Sequence, residues 1–112
     1  MKSWVAYTIA SAFIGIGAGA IVAPQASSRG FGLPADDPTA LALVRAVGAR
    51  DLIFGAIFLA MRGDDAALAR IAAWTSLAGI ADAACVASVR GLQPVHVVHV
   101  GGAIALALAS RL

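Results

Sequence analysis

Two adjacent charged residues, Arg50 and Asp51, lie in the middle of an apolar stretch that is long enough to cross a lipid bilayer. Asp82, His96 and His99 lie in the apolar stretches that follow it. Charged side chains at membrane depth are energetically costly, and they usually face a bundle interior or a wet cavity where they serve a function. Carboxylate, imidazole and guanidinium groups in such a setting favour general acid–base chemistry.

The candidate catalytic residues are Asp51, Asp82 and His99. Either aspartate would transfer a proton, and His99 would act as the partner acid or base. Arg50 would hold an oxyanion or orient a carboxylate, because a guanidinium presents several donors in a fixed plane. We expect one aspartate to accept hydrogen bonds from Arg50 and the other to stay free for chemistry, and the sequence leaves open which one. Further candidates for substrate binding are Arg45, Thr75 and His96.

A metal site is the main alternative for the two histidines. His96 and His99 share one helix face, so with an aspartate from a neighbouring helix they could hold zinc or iron. The usual zinc-binding helix motif places a glutamate between histidines four residues apart, and this chain contains no glutamate. We therefore predict neither a metal nor another cofactor. The single cysteine, Cys85, excludes an internal disulfide.

The composition indicates an integral membrane protein. Of the 112 residues, 61% are hydrophobic and 12% are charged. A soluble domain of this length has a high ratio of surface to volume and usually carries about 25% charged residues. The basic residues are spread singly along the chain, which excludes a nucleic-acid site because phosphate binding needs clustered cations. The lipid bilayer is therefore the first expected partner.

Proline, glycine and aspartate divide the chain, taken as one domain of residues 1–112, into four apolar helices. The predicted spans cover residues 4–23, 39–62, 66–89 and 94–111, each long enough for a hydrocarbon core of about 30 Å. Residues 24–38 are rich in Pro, Gly and Ser and are predicted to form a loop that could act as a lid. The expected fold class is all-α, an integral membrane four-helix bundle with antiparallel up-down-up-down topology.

The distribution of basic residues predicts the orientation. With four spans, both termini lie on one side of the membrane together with the turn near Gly63. The basic residues on that side are Lys2, Arg62, Arg70 and Arg111, and those on the other side are Arg29 and Arg90. By the positive-inside rule we expect a multi-pass protein of the cell membrane with both termini in the cytoplasm.

The first span has two further interpretations. It could be a cleaved secretory signal, but its apolar stretch is about twice as long as a signal core. Its glycines, Gly15, Gly17 and Gly19, supply a surface of small residues that suits close helix packing in lipid. That surface could pair with a neighbouring helix or with a second copy of the chain, so a homo-oligomer stays open.

Three motifs together resemble a known family. They are the segment Gly48-Ala49-Arg50-Asp51-Leu52-Ile53-Phe54-Gly55, the aspartate of Gly79-Ile80-Ala81-Asp82, and the histidine followed by Gly101-Gly102. This pattern is similar to that of the small four-span membrane proteins catalogued as domain of unknown function 4267, and the resemblance covers nearly the whole chain. It implies a four-helix membrane fold and no established activity. It also implies that the motif positions of the family are Arg50, Asp51, Asp82 and His99.

Three classes of function fit these residues. The first is a membrane-embedded acid–base enzyme of isomerase, epoxide hydrolase or cyclase type with a hydrophobic small-molecule substrate. The second is a proton-linked transporter or a channel subunit in which the same groups relay protons or bind an ion. The third is a structural membrane protein in which Arg50 and an aspartate only fix the helix register. We favour the enzyme, and we expect Arg50, Asp51, Asp82 and His99 to converge on one pocket away from the termini.

Overall fold

The computed structural model describes residues 2–109 and 111–112, and over those residues the chain folds into helices without any strand. The all-α class is therefore confirmed. Four long helices and one short helix follow each other along the chain. They are α1 (Ser3–Val22), α2 (Pro24–Gly30), α3 (Pro38–Ala60), α4 (Asp65–Arg90) and α5 (Pro94–Ala109). Ser110, which falls in the last predicted span, lies outside the described residues.

The long helices begin and end within two residues of the bounds expected from the sequence, and side chains at their ends explain why. The Asp37 carboxylate accepts a hydrogen bond from the backbone N–H of Thr39 at 3.2 Å, which caps α3. Asp64 caps α4 in the same way through the N–H of Ala67 at 2.9 Å. Gly91 ends α4 in the left-handed region, at φ 74°, which glycine adopts without a steric penalty.

The segment 24–38 is only partly a loop, and the expectation of a loop throughout is wrong for residues 24–30. Pro24 occupies the first turn of α2, where its missing N–H sacrifices no helical hydrogen bond. The fully buried Ser28 donates its hydroxyl hydrogen to the carbonyl oxygen of Pro34 at 2.9 Å. This bond folds the residues after α2 back against the short helix.

The helices α1, α2 and α3 form the first of two units, here called the first hairpin. A Cβ atom added to Gly17 would lie 2.6 Å from the carbonyl oxygen of Gly48, and one added to Gly55 would lie 2.6 Å from a side-chain carbon of Ile14. Only glycine permits backbones to approach this closely. Because the later residue of α3 faces the earlier residue of α1, these two helices run antiparallel.

The helices α4 and α5 pack against each other as the second hairpin. A buried apolar cluster joins the two hairpins near the turn at residues 61–64. Its members come from α1, α3 and α4 and are Ala6, Ala10, Phe58, Leu68 and Ala72. Leu106 of α5 packs against this cluster. Apart from this cluster, α3 and α4 have little contact. The two hairpins therefore meet at one end and leave a space between them towards α2.

The outer surface of this arrangement is strongly apolar. Two helices, α1 and α4, are long and apolar enough to cross a membrane, and α5 is apolar but shorter. The helix α3 has the length but carries Arg45, Arg50 and Asp51. Large apolar side chains are exposed on all four long helices, among them Trp4, Ile21, Ile53, Trp74, Leu77 and Leu108. These features favour a membrane protein, because a soluble surface rarely exposes so many large apolar side chains.

Candidate functional site

Arg50 of α3 forms ion pairs with two carboxylates, one on its own helix and one on α4. Its Nη2 lies 2.9 Å from Oδ1 of Asp51, and its Nε donates to the same oxygen at 3.2 Å. Its Nη1 lies 2.8 Å from Oδ2 of Asp82. The expectation that only one aspartate pairs with Arg50 is therefore wrong, because a planar guanidinium carries donors on more than one edge. We call Arg50, Asp51 and Asp82 the ion triad.

The length of the Arg50 side chain makes this double pairing possible. Successive helix residues point about 100° apart, which predicts that Arg50 and Asp51 diverge. The guanidinium instead lies over the ring of Phe54, with Cζ 5.3 Å from the ring centroid in a cation–π contact. The Phe54 ring in turn meets Phe13 of α1 edge to face at 5.6 Å. The α1–α3 interface thus supports the position of the ion triad.

The two carboxylates of the ion triad differ in exposure. The Asp51 side chain is 8% exposed, whereas the Arg50 and Asp82 side chains are 32% and 42% exposed. Asp82 uses only Oδ2 in its ion pair, and its Oδ1 has no partner among the described residues. Asp51 likewise uses only Oδ1, so each carboxylate has one oxygen without a partner among the described residues. The greater exposure of Asp82 makes its Oδ1 the more accessible to a ligand, and the buried Asp51 holds the guanidinium in place.

His99 of α5 lies beneath the segment that connects α2 to α3. Its ring centroid is 5.3 Å from that of Phe31, with the two rings tilted by 46°. Neither ring nitrogen of His99 has a hydrogen-bond partner in residues 2–109 and 111–112. Gly32 has a φ of 72°, and a Cβ atom there would meet the side-chain amide of Gln93 just before α5. The connecting segment therefore crosses from the first hairpin to the second and covers the end of the space that holds His99.

A cavity of about 1420 Å³ fills the space between the hairpins. All five helices contribute to its wall, and most of the wall is apolar. Drug-sized ligands usually occupy pockets of roughly 300–1,000 Å³, so this cavity is larger than that class requires. The polar residues of the wall include Arg50, Asp51, Thr75, Asp82 and His99. The structure thus brings the four expected site residues to one cavity, where Arg50 contacts both aspartates.

The other sequence candidates behave differently. Thr75 lies in the cavity wall, but its hydroxyl is within 3.1 Å of the backbone carbonyl oxygens of Ile71 and Ala72. Arg45 is exposed and lies outside the wall. His96 also lies outside it, and its buried ring accepts a hydrogen bond at Nδ1 from the backbone N–H of Gln93 at 2.8 Å. The structure therefore does not bring Arg45 or His96 to the site.

Two aromatic residues belong to the site without having been predicted from the sequence. Phe54 follows Arg50 by four residues, so their side chains share one helix face, and this spacing was the available signal. Phe31 is the aromatic residue in a segment otherwise rich in small and polar residues, which was a weaker signal. Within the described residues, no group of three or more His, Cys, Asp or Glu side chains could hold a metal ion.

Comparison with known proteins identifies the family but supplies no activity. No curated protein and no solved structure matches the chain. The model of a family described as a domain of unknown function, DUF4267, matches residues 10–112, a range that includes the ion triad and His99. This match confirms the resemblance seen in the three sequence motifs. The chain therefore belongs to the DUF4267 family.

Proposed function

We propose that this chain is a membrane enzyme that carries out cofactor-independent acid–base chemistry on a lipophilic small molecule. Isomerisation, epoxide opening and cyclisation are the reaction types that suit its residues. The observation that carries the proposal is a large, mainly apolar cavity whose wall contains groups able to transfer protons, with atoms that have no hydrogen-bond partner among the described residues. Among these atoms are Oδ1 of Asp82 and the ring nitrogens of His99. An apolar pocket with a few convergent polar groups is the usual form of a small-molecule site.

Isomerisation and cyclisation need only the groups of the cavity wall, whereas epoxide hydrolysis also consumes one water molecule from solvent. In an isomerisation one proton leaves the substrate and another returns, so the substrate neither gains nor loses electrons. Asp82 would take up one proton at Oδ1 while His99 supplies the other, or the two would act in reverse order. Asp82 keeps its contact with Arg50 through Oδ2, which holds the carboxylate in position during the transfer. We assign Asp51 a positioning role, since among the described residues its buried carboxylate binds only the guanidinium.

The membrane setting is part of the proposal. We infer that all four long helices cross the cell membrane and that both termini lie in the cytoplasm. The charges of α3 are compatible with a span because Arg50 and Asp51 are paired and belong to the cavity wall. A homo-oligomer is also compatible with the fold, since a side chain at Gly15 of α1 would meet open space.

Labelling from isotopic solvent tests the enzyme proposal while the substrate is still unidentified. The purified protein is placed in nanodiscs made from a total membrane lipid extract and incubated in D₂O or in H₂¹⁸O. Mass spectrometry of the extracted lipophiles then follows label against time. We expect one lipophile to gain deuterium through proton transfer, or ¹⁸O through epoxide hydrolysis, with the wild-type protein.

Three variants assign the label to the site. His99→Gln and Asp82→Asn should abolish labelling, because each removes one of the two proton-transferring groups. His96→Gln is the matched control, since it changes the same residue type on the same helix outside the cavity wall. Full labelling by both site variants would refute the assigned roles. A folded wild-type protein that labels nothing in either solvent would refute the enzyme.

One observation favours a second function, that of a structural protein. Arg50 connects α3 to α4 through Asp82, in a region where these two helices otherwise have little contact. The ion triad could therefore serve to join the hairpins. A variant in which the whole triad is apolar separates the two functions, and its expected behaviour is argued in the Discussion.

A further inference from the structure

The charged groups of the cavity wall leave the cavity with an excess of negative charge. Three carboxylates, those of Asp37, Asp51 and Asp82, line it together with two cations, Arg50 and Arg90. The wall therefore carries one net negative charge while His99 is neutral. Low-dielectric walls concentrate such a field, so the cavity attracts ligands of positive charge.

The Arg50 guanidinium already has two anionic partners. Its Nε and Nη2 point at Asp51, its Nη1 points at Asp82, and one of its faces lies over Phe54. Two of its five N–H donors are left over, but an anionic group bound there would lie beside two carboxylates whose charge exceeds that of Arg50 and repels it. This geometry argues against the sequence-based expectation that Arg50 holds an oxyanion or a carboxylate.

Asp82 provides the complementary contact for a cation. Its Oδ1 is unpaired among the described residues, and its side chain is the most exposed of the ion triad. A hydrogen bond from a charged N–H donor to a carboxylate is about twice as strong as a neutral one. Phe31 also lines the cavity next to His99, and aromatic rings attract the same kind of group.

The rest of the wall determines what the cation is attached to. On α1 the wall extends from Thr8 to Gly19, which is about 16 Å at the helical rise per residue. Apolar side chains of the long helices line most of this length, among them Ile9, Phe13, Leu43, Val86 and Leu106. A long apolar body therefore fits the cavity.

We propose that the cavity takes a lipophilic cation, a long apolar molecule whose polar end is an ammonium-type group bound at Asp82. This inference rests on the proposed function, since it names the ligand class of the same cavity. Oδ1 of Asp82 has two lone pairs, so it can accept a hydrogen bond from the ammonium group and still take up the proton of the proposed reaction. Three probes with one chain length and different head charge test it: dodecylamine, dodecanol and dodecanoate. Binding is measured by isothermal titration calorimetry to the wild-type protein in phosphatidylcholine nanodiscs, with titration into empty nanodiscs subtracted. Dodecylamine should bind about tenfold or more tightly than dodecanol, and dodecanoate should bind most weakly.

Two variants locate the effect. Asp82→Asn should lower the affinity for dodecylamine to that for dodecanol, because it removes the charge that the ammonium group contacts. Asp36→Asn is the matched control, since it removes one negative charge from an exposed residue outside the cavity wall. It should leave the affinity for dodecylamine unchanged. If Asp82→Asn does not fold, the order of the three probes on the wild-type protein decides the matter.

The outcomes separate this inference from the proposed function. Saturable binding of all three probes with equal affinity, or tightest binding of dodecanoate, would overturn the lipophilic cation and leave the lipophile-binding cavity in place. Absence of saturable binding by any probe would overturn both. Loss of dodecylamine affinity in Asp36→Asn to the same extent as in Asp82→Asn would show a general charge effect and overturn the assigned contact.

Discussion

The two interfaces of α3 are built on opposite principles. Against α1, the backbones approach so closely that Gly17 and Gly48 have no room for a side chain. Against α4, the contact is sparse, and Arg50 and Asp82 reach across beside a large cavity. The first interface is specified by shape and the second by charge. The tight α1–α3 interface can hold Arg50 in position, while the sparse α3–α4 interface leaves room for a ligand.

The largest expected effect is at the α1–α3 interface. Gly17→Leu should lower the free energy of unfolding by about 3 kcal/mol, because overpacking a tight interface forces backbones apart. The added Cβ would lie 2.6 Å from the carbonyl oxygen of Gly48 and 2.9 Å from the backbone nitrogen of Leu52, neither of which can rotate away. Titration with a denaturing detergent, followed by circular dichroism, measures the change.

Gly15→Leu is the control for this change. It lies on the same helix, and a side chain there meets nothing within 4 Å. Both substitutions gain similar helix propensity, about 1 kcal/mol, so their difference isolates the packing. Equal stability of the two variants would show that α1 and α3 do not pack as described.

The contrast between the interfaces also explains what the sequence could predict. The positions of the long helices follow from local signals, such as Asp37 before Pro38. Their observed bounds therefore lie within two residues of the predicted ones. The short helix α2 was not predicted, because its residues resemble a loop in composition and its order depends on the contact of Ser28 with Pro34. Tertiary contacts of that kind leave no periodic pattern in the sequence.

The second largest expected effect is at the α3–α4 interface. Arg50→Met should lower the free energy of unfolding by about 2 kcal/mol, since it leaves the buried Asp51 carboxylate without a partner. This value is below the usual loss for a fully buried pair because Arg50 and Asp82 are partly exposed. The same detergent titration measures it.

The fully apolar variant sharpens this result. Replacing all three residues, as Arg50→Met with Asp51→Leu and Asp82→Leu, should restore the stability to within about 1 kcal/mol of the wild type. It should nevertheless abolish isotope labelling of the lipophile. Restored stability with full labelling would instead show that the ion triad only joins the hairpins.

A smaller effect distinguishes the two carboxylates. Asp51→Asn should lower the free energy of unfolding by about 1 kcal/mol and Asp82→Asn by about half as much, because the charge of Asp51 is more deeply buried. The effect on labelling should have the opposite order, with the larger loss in Asp82→Asn. A larger loss of labelling in Asp51→Asn would transfer the proton-carrying role from Asp82 to Asp51.

The candidate site could be predicted from the sequence only as a set of residues. The sequence analysis predicted that Arg50, Asp51, Asp82 and His99 converge on one pocket, and all four line one cavity. The pairing of Arg50 with both aspartates was beyond reach, because helical angles locate the Cβ atom and not the end of a long flexible side chain. Burial of His96 outside the cavity depends on how α5 is rotated against its neighbours, which periodicity did not resolve.

The smallest expected effect concerns the segment that connects α2 to α3 and covers one end of the cavity. Phe31→Ala removes the aromatic contact with His99, so the connecting segment should open more often while the helices remain stable. Hydrogen–deuterium exchange of the Leu33 backbone N–H, which donates to the carbonyl oxygen of Ser28, reports this opening. Loss of a contact worth about 1 kcal/mol should raise the exchange rate roughly fivefold. Leu92→Ala is the control, because Leu92 is exposed near the same end of the molecule. An unchanged exchange rate in Phe31→Ala would show that the contact with His99 does not hold the connecting segment over the cavity.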